Sequence, residues 1–469
     1  MSNFRRTLIG SLVLLGFQVA AQPAPPPDNP DLATLHAELK ALRAEYEARI
    51  AALETRLAAA EQAADEARNE AEVTQQTAQS AAAVAAATPP TAAAPAGGGK
   101  AFNPDISIIL QGRYGAFSQE PESRFIPGIL TGGEAAEGAG VGAEGFALDE
   151  TELDLSANID DKFYGFASIA LNQDETDTEV ELEELYLQTL ALPAGFNIKA
   201  GQFFSEIGYL NKVHSHAWDF IDQPLAYQGL LGNQFIDPGV QVTWLAPAPF
   251  YLRFGGEVFA GDHFPAGGSA NDGVGAQTAF VDFGGDVGSG HSWQAGLSWF
   301  NANVRERLSE FDEVGVTFDG DSNLYIADLV WKWAPGGNPK NTHLIIQSEY
   351  LRREEDGRLA LGDGAESDYH GKQSGWYLQS VYQFMPQWRI GMRYDRLAID
   401  NKIPDLPSDL FFADTARNPW RFSAMLDYSN SEFSRLRLQF NQENLNGEDE
   451  QQVFLQYIMS LGAHGAHGF

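Results

Sequence analysis

The sequence predicts an all-β transmembrane β-barrel of about 16 antiparallel strands, preceded by an N-terminal α-helical coiled coil. Three observations support this fold class. Many segments of about ten residues alternate apolar and polar side chains, as strands between lipid and water do. Beyond the N-terminus, no run of about 18 apolar residues could form a membrane-spanning helix. Short and long connections alternate between these segments, which is the asymmetry of outer-membrane barrels.

The N-terminus has the three zones of a cleaved secretory signal. Arg5 and Arg6 precede an apolar run from Leu8 to Ala20, and the predicted cleavage site follows Ala21. Pro-rich sequence comes next, where an anchor would have a stop-transfer pattern. We therefore predict a signal peptide over residues 1–21, with an uncleaved anchor as the alternative.

Residues 31–79 lack Gly and Pro and are dense in Ala, Glu, Leu and Arg, a composition that favours helix. Apolar residues recur every seven positions, beginning with Leu32, Leu39 and Tyr46, which predicts a periplasmic coiled coil. A single surface helix is the alternative, because the later seam positions are Ala. Residues 80–100 are rich in Ala, Thr, Pro and Gly and are predicted to be a linker. At the end of this tether, the coiled coil could hold three barrels together or touch peptidoglycan.

Residues 101–469 are predicted to form one outer-membrane barrel domain. Near its start, Ile106, Ile108 and Leu110 share one face, while Ser107 and Gln111 share the other. Charged residues recur on one face of many such segments. A β-sandwich core would exclude these charges, whereas the lumen of a wide barrel is wet. A secreted β-sandwich or β-helix is the alternative, but neither predicts the asymmetry of the turns.

Sixteen strands follow from this pattern, an even number as in bacterial barrels. They are predicted at 105–117, 146–159, 162–171, 179–191, 196–204, 238–246, 249–260, 274–283, 291–301, 322–333, 341–353, 374–385, 387–398, 418–429, 432–443 and 450–463. Long external loops are predicted at 118–145, 205–237, 302–321, 354–373 and 399–417. The chain ends in Phe469, and a C-terminal aromatic residue after an amphipathic strand resembles the assembly signal of bacterial outer-membrane barrels.

Four motifs lie between residues 199 and 242. They are Lys199 to Gly208 (KAGQFFSEIG), Ala217 to Phe220 (AWDF), Asp222 to Pro224 (DQP) and Phe235 to Val242 (FIDPGVQV). Together they resemble the phosphate-selective porin O and P family, in which a strand with a Gly-Gln motif leads into a long loop that returns with Gly-Val-Gln. The resemblance implies a homotrimer of sixteen-stranded barrels. It also implies that the loop at 205–237 folds inward and narrows the pore.

The charge of the chain argues against phosphate as the solute. The formal net charge is -34, from 30 Lys and Arg against 64 Asp and Glu. Residues 1–99 hold 7 basic and 11 acidic residues, so the remainder keeps 23 against 53, a net charge of -30. Because phosphate-selective members line the pore with basic residues, a cation-leaning or general pore fits this chain better.

Charged residues with lumen parity are the candidate pore-lining residues. They are Arg113, Glu152, Asp154, Arg389, Arg393, Arg421, Arg435 and Arg437. The arginines occur mostly on late strands and the carboxylates on early ones, which suggests a transverse field across the lumen. The alternative concerns the acidic run at 174–184, which could lie on an external loop and bind divalent cations at the lipopolysaccharide surface.

His214, His216 and Asp219 form a candidate metal site within the predicted constriction loop. Imidazole and carboxylate are ligands that suit zinc or copper. Histidines that merely form hydrogen bonds in a loop are the alternative. His464 and His467, near the C-terminus, are open to the same two interpretations.

These observations predict a porin of the bacterial outer membrane that passes small hydrophilic solutes by passive diffusion. Its predicted partners are the lipid bilayer and lipopolysaccharide, with no nucleic acid and no cofactor. A metal-uptake (zinc) porin and a receptor or adhesin that uses its external loops are the alternatives. No Gly-x-Ser-x-Gly, phosphate-binding glycine loop or HExxH motif occurs, so an enzyme is not predicted. The barrel region is too short for a gated receptor of about 22 strands with a plug.

Overall fold

The computed structural model describes residues 104–119, 124–130, 142, 144–174, 177–267, 273–311, 314–362, 364–406, 410 and 418–462. The chain divides into two units, residues 1–99 and 100–469. The predicted signal peptide, coiled coil and linker lie outside the described residues, as do His464, His467 and Phe469.

The second unit is a single antiparallel sheet. Its first nine strand segments are β1 (Asp105–Phe117), β2 (Gly145–Leu148), β3 (Thr151–Asn158), β4 (Phe163–Asp174), β5 (Asp177–Thr189), β6 (Phe196–Phe204), β7 (Ile236–Leu245), β8 (Tyr251–Phe259) and β9 (Ala276–Val287). The others are β10 (His291–Phe311), β11 (Val314–Trp333), β12 (His343–Leu361), β13 (Glu366–Met385), β14 (Trp388–Lys402), β15 (Trp420–Ser431), β16 (Ser434–Asn444) and β17 (Asp449–Gly462).

The sheet closes on itself as a barrel of sixteen strands. Each segment pairs with its neighbour in sequence, and β1 pairs with β17 to complete the ring. Both β2 and β3 pair with β1, so these two segments are one strand interrupted at Asp149 and Glu150. The predicted barrel and its sixteen antiparallel strands are confirmed for the described residues, and each predicted strand overlaps an observed one.

Period-two alternation gives the barrel an apolar outer face. Along β17, Val453, Leu455 and Tyr457 are exposed while the residues between them are buried. Aromatic rings gather at two levels, where Trp388 packs on Tyr428 near the short turns and Tyr394 stacks on Trp420 further along. Two such girdles bound the lipid-facing band of outer-membrane barrels. Among the described residues, no helix is long and apolar enough to span a membrane.

The prediction of two long external loops is wrong, because these residues extend the strands. The ranges 302–321 and 354–373 belong mainly to β10–β13, which run for 19 to 21 residues. A membrane strand needs only about 9–11 residues, so these two hairpins continue beyond the apolar band. Charged residues cover their outer faces, while inward residues such as Phe318, Leu359 and Tyr369 are fully buried. This buried apolar face is the physical reason that the strands continue.

The other connections follow the predicted asymmetry. Short turns such as those at Pro386–Gln387 and Glu432–Phe433 gather at one end, which we call the short-turn end. The longer connections lie at the opposite end, which we call the long-strand end. Three described parts of these connections fold into the barrel: 124–130, 205–235 and 260–267, in each of which several apolar side chains are buried.

Candidate functional site

Residues 205–235, which we call the inner segment, occupy the interior of the barrel. The segment leaves β6 and returns to β7, and its base is closed by a hydrogen bond from Ser205 N to Phe235 O at 3.0 Å. It contains one α-helix, α1 (Leu225–Leu231), all of whose residues are buried. Gly232 ends α1 with a φ of 63°, in the left-handed region that glycine adopts without strain. The predicted inward course of this loop is therefore what the structure shows.

Glu349 of β12 binds the inner segment at Tyr209, Leu210 and Tyr227. Its carboxylate accepts hydrogen bonds from the backbone N–H groups of Tyr209 and Leu210 at 3.0 and 3.1 Å. The hydroxyls of Tyr227 and Tyr377 donate to the same carboxylate at 2.8 and 2.6 Å. Three of these donors belong to the inner segment and Tyr377 to β13, so the buried carboxylate holds the segment to this side of the wall.

Asp222 fixes the inner segment to the opposite strands. Its two carboxylate oxygens accept from Arg393 and Arg421, each at 2.7 Å. Gln439 and Asn441 of β16 donate to it at 3.0 and 2.9 Å. Burial alone would raise the pKa of Asp222, but the guanidinium groups of Arg421 and Arg393 hold that pKa well below its usual range. The carboxylate is therefore the charged partner of two buried arginines.

The remaining late-strand arginines, Arg389, Arg435 and Arg437, bind Trp218 and Asp219 of the inner segment. Arg389 pairs with Asp219 of the segment at 2.9 Å and with Asp427 of the wall. Arg435 and Arg437 donate to the carbonyl oxygen of Trp218 at 3.3 and 2.8 Å. All five predicted late-strand arginines point inward as the parity predicts, and each contacts the inner segment.

A cavity of about 1000 Å³, which we call the vestibule, lies between the inner segment and the short-turn end. Arg389, Arg393 and Arg435 line it, whereas Arg421 and Arg437 are buried beside it with side chains at most 1% exposed. Three lysines also border the vestibule: Lys199, Lys212 and Lys332. Glu184, Glu206, Asp219 and Asp222 line it as well, so the vestibule wall carries both basic and acidic groups.

On the side of the inner segment that faces away from the vestibule, the interior of the barrel is apolar. There, a cluster of buried apolar residues joins α1 to the long strands and to residues 126–130. Gly375 of β13 allows close contact, because a Cβ atom there would lie 2.8 Å from the Cβ of Ala226. In the described residues, the inner segment thus separates a polar vestibule from an apolar cluster.

A group of four glutamates and two histidines, which we call the His–Glu cluster, borders the vestibule opposite the arginines. Its members are Glu150, Glu152, Glu183, Glu184, His214 and His216. His214 Nδ1 lies 3.2 Å from Glu152 Oε2 and 3.3 Å from Glu183 Oε2, and its Nε2 lies 3.0 Å from Glu184 Oε2. His216 Nδ1 lies 2.7 Å from Glu152 Oε1.

A β-bulge brings two consecutive glutamates to the same face. The register between β4 and β5 pairs Ser168 with Glu184 but Ile169 with Leu182, so Glu183 is the extra residue. In a regular strand, Glu183 and Glu184 would point to opposite faces. The bulge lets both side chains turn inward, where they are 9% and 6% exposed.

The structure separates the predicted metal ligands. His214 and His216 meet at Glu152, which had been assigned only to the pore lining, whereas Asp219 accepts from Arg389. The two remaining predicted pore residues lie on the early strands. Arg113 pairs with Asp149 at 2.6 Å, and Asp154 accepts from Ser107 at 3.1 Å.

Several interior residues are not predicted by the sequence. Asp222 belongs to the DQP motif, but nothing in the motif indicates its ion pairs, and the local patterns around Glu349 and residues 124–130 do not indicate an interior position. Arg124 shows how the latter are held, because its guanidinium binds Glu443 at 2.7 Å inside the barrel. The spacing of each pair along the chain is too long for any local pattern to indicate it.

Comparisons with known proteins cover most of the barrel. Residues 155–456 match the family described as beta-barrel porin-2, OmpL-like. An uncharacterized protein of Aquifex aeolicus (strain VF5) is 33% identical over 397 residues, which cover 79% of this chain and 81% of that protein.

Solved outer-membrane proteins are similar to this chain at a lower level. The trimer form of OmpT, an outer membrane protein of Vibrio cholerae, is 9% identical with a TM-score of 0.47 and covers 77% of this chain and all of its own. The outer membrane channel DcaP of Acinetobacter baumannii is 13% identical with a TM-score of 0.46, over 76% of this chain and 97% of its own.

Proposed function

The chain belongs to the OmpL-like beta-barrel porin-2 family, and we propose that its inner segment sets the passage of small hydrophilic solutes and ions through an outer-membrane channel. The observation that carries this proposal is the position of residues 205–235. They cross the lumen and form one wall of the vestibule, so a solute must pass beside them or displace them. No energy source and no covalent step are needed for such diffusion.

The charges around the vestibule argue against a phosphate-selective pore. Although Lys199, Lys212 and Lys332 border the vestibule, its arginines are paired with Asp219, Asp222, Asp395 and Asp427. The His–Glu cluster adds carboxylates on the other side. Together with the net charge of -30 from Lys100 onward, this balance favours a cation-leaning or general pore over a phosphate-selective one.

We extend the proposal to the setting of the barrel. The apolar outer face would contact lipid, and the long-strand end would face outward towards lipopolysaccharide, since short turns are periplasmic in such barrels. The N-terminal residues would then lie in the periplasm. There the predicted coiled coil would hold a homotrimer together or contact peptidoglycan.

Reversal potentials in planar bilayers test the selectivity. The full-length protein is expected to conduct and to prefer cations in a salt gradient. Arg435→Ala removes a vestibule charge that is 25% exposed, so the reversal potential is expected to shift further towards that of a cation-selective pore. Arg358→Ala is the control, because Arg358 is 65% exposed on an extended strand. A protein that never conducts would refute the channel, and equal reversal potentials for the three proteins would refute the selectivity mechanism.

A further inference from the structure

We propose that the His–Glu cluster binds one divalent transition-metal ion, for which zinc is the natural probe. The ligands are His214 Nδ1, Glu152 Oε2 and Glu183 Oε2, and Glu150 supplies a further carboxylate oxygen. This set replaces the one that the sequence predicts, because Asp219 is engaged by Arg389. The site does not depend on whether the barrel conducts.

The spacing of the ligand atoms fits a small tetrahedral ion. Zinc binds imidazole nitrogen and carboxylate oxygen at about 2.0–2.1 Å, so adjacent ligand atoms of a tetrahedron are about 3.3 Å apart. His214 Nδ1 lies 3.2 Å from Glu152 Oε2 and 3.3 Å from Glu183 Oε2. Ligand atoms from Glu150, Glu152 and Glu183 also lie within 4.8 Å of one another. The two distances from His214 Nδ1 therefore already match those around a bound ion, and the carboxylates would draw closer together to complete the tetrahedron.

Three of the four ligand groups present an atom without a hydrogen bond. His214 Nδ1, Glu152 Oε2 and Glu150 Oε1 are buried, and none of the three has a hydrogen-bond partner. Glu152 itself is 0% exposed. Buried polar atoms without a hydrogen bond are costly and therefore rare. Here the three atoms belong to one cluster, where a bound cation would give each of them a partner.

Hydrogen bonds from neighbouring side chains orient the proposed ligands. His214 Nε2 can donate to Glu184 Oε2 at 3.0 Å, which leaves the lone pair on Nδ1 for the metal. A carboxylate behind a metal-binding histidine is the usual arrangement in metalloproteins. His216 lies 2.7 Å from Glu152 Oε1, and Ser168 donates to Glu183 at 3.2 Å, so both ligand carboxylates are also oriented.

The charge and position of the cluster suit a cation that arrives through the vestibule. Four carboxylates surround two histidines, so a dication reduces the local negative charge. Glu184, His214 and His216 line the vestibule and give the ion a route to the site. The ligands come from β3, the interruption just before it, β5 and the inner segment, so the metal would join the segment to the wall opposite the arginines.

Titration calorimetry of the full-length protein in detergent, after removal of metal with EDTA, tests the site. Wild type is expected to bind one zinc ion per chain. His214→Gln and Glu152→Gln remove ligands and are expected to abolish that binding. Glu184→Gln removes only the support behind His214 and is expected to weaken zinc binding about 10–100-fold. His370→Gln is the matched control, because His370 pairs with Asp356 on an exposed face, and its isotherm should equal that of wild type.

Cobalt(II) absorption gives a second measurement that does not depend on how well the variants fold. Wild type loaded with cobalt is expected to show the intense visible bands of a four-coordinate ion. Absence of zinc binding by wild type, weak six-coordinate cobalt bands, or zinc isotherms that His214→Gln and Glu152→Gln leave unchanged would each overturn the site. In those cases the cluster is an ordinary network of hydrogen bonds and ion pairs.

Discussion

The ion pairs of Asp222 offer a direct way to loosen the inner segment. Asp222→Ala leaves Arg393 and Arg421 buried without their shared partner, and breaking a buried ion pair costs about 3–5 kcal/mol. Arg393 still has Asp395 at 3.0 Å, and Arg421 still has Glu443 at 3.6 Å. The lower value, about 3 kcal/mol, is therefore expected.

This energy becomes a measurable change in channel opening. Since each 1.4 kcal/mol or so is a tenfold change in an equilibrium constant, about 3 kcal/mol raises the population of the displaced segment about 100-fold. Single-channel recording should show more frequent or larger openings for Asp222→Ala than for wild type. Asp400→Asn, on the exposed face of β14, should record as wild type. If Asp222→Ala and wild type open equally often to the same level, Asp222 does not hold the segment.

Three further predictions concern the same segment. Because the folded pKa of Asp222 is depressed, its stabilising charge is present above the unfolded value of about 3.9 and is lost only as the pH falls through the folded value. The difference in conductance between wild type and Asp222→Asn should therefore stay constant from about pH 8 to pH 5, and a difference that vanishes in this range would contradict the assignment. Glu349→Ala leaves four donors without their acceptor and should lower the free energy of unfolding by about 3 kcal/mol or more, measured from the thermal midpoint of the folded barrel. Gly375→Val places a side chain where the Cβ of Ala226 lies 2.8 Å away, so it should displace α1 and increase proteolysis within 225–231 in detergent, whereas an unchanged cleavage rate would show that α1 tolerates the substitution.

The sequence determines the strands well because lipid on one side and polar groups on the other impose a strict alternation. The extension of β10 was not predicted because the alternation breaks there. The register shifts between Val304 and Arg307, so the inward residues of β10 change parity, whereas those of β11 do not. The extensions of β12 and β13 lie beyond the apolar band, and their outer faces are charged. A sequence of this kind resembles that of an external loop.

The candidate site is less predictable because its contacts join distant parts of the chain. Asp222 binds residues 171 and 199 positions away, and only closure of the barrel brings them together. The histidines were identified by residue type, but their carboxylate partner could not be. Glu152 lies on β3, and the inward turn of Glu183 depends on a bulge that no local pattern indicates.

Removal of the inner segment tests the central claim most directly. Phe204 and Ile236 are paired across β6 and β7, so residues 207–233 can be replaced by Gly-Gly without breaking the wall. A heat-sensitive shift in electrophoretic mobility would verify that the barrel is folded. If the inner segment sets the opening, the folded variant conducts several-fold more than wild type in planar bilayers. A folded variant with wild-type conductance would contradict that claim.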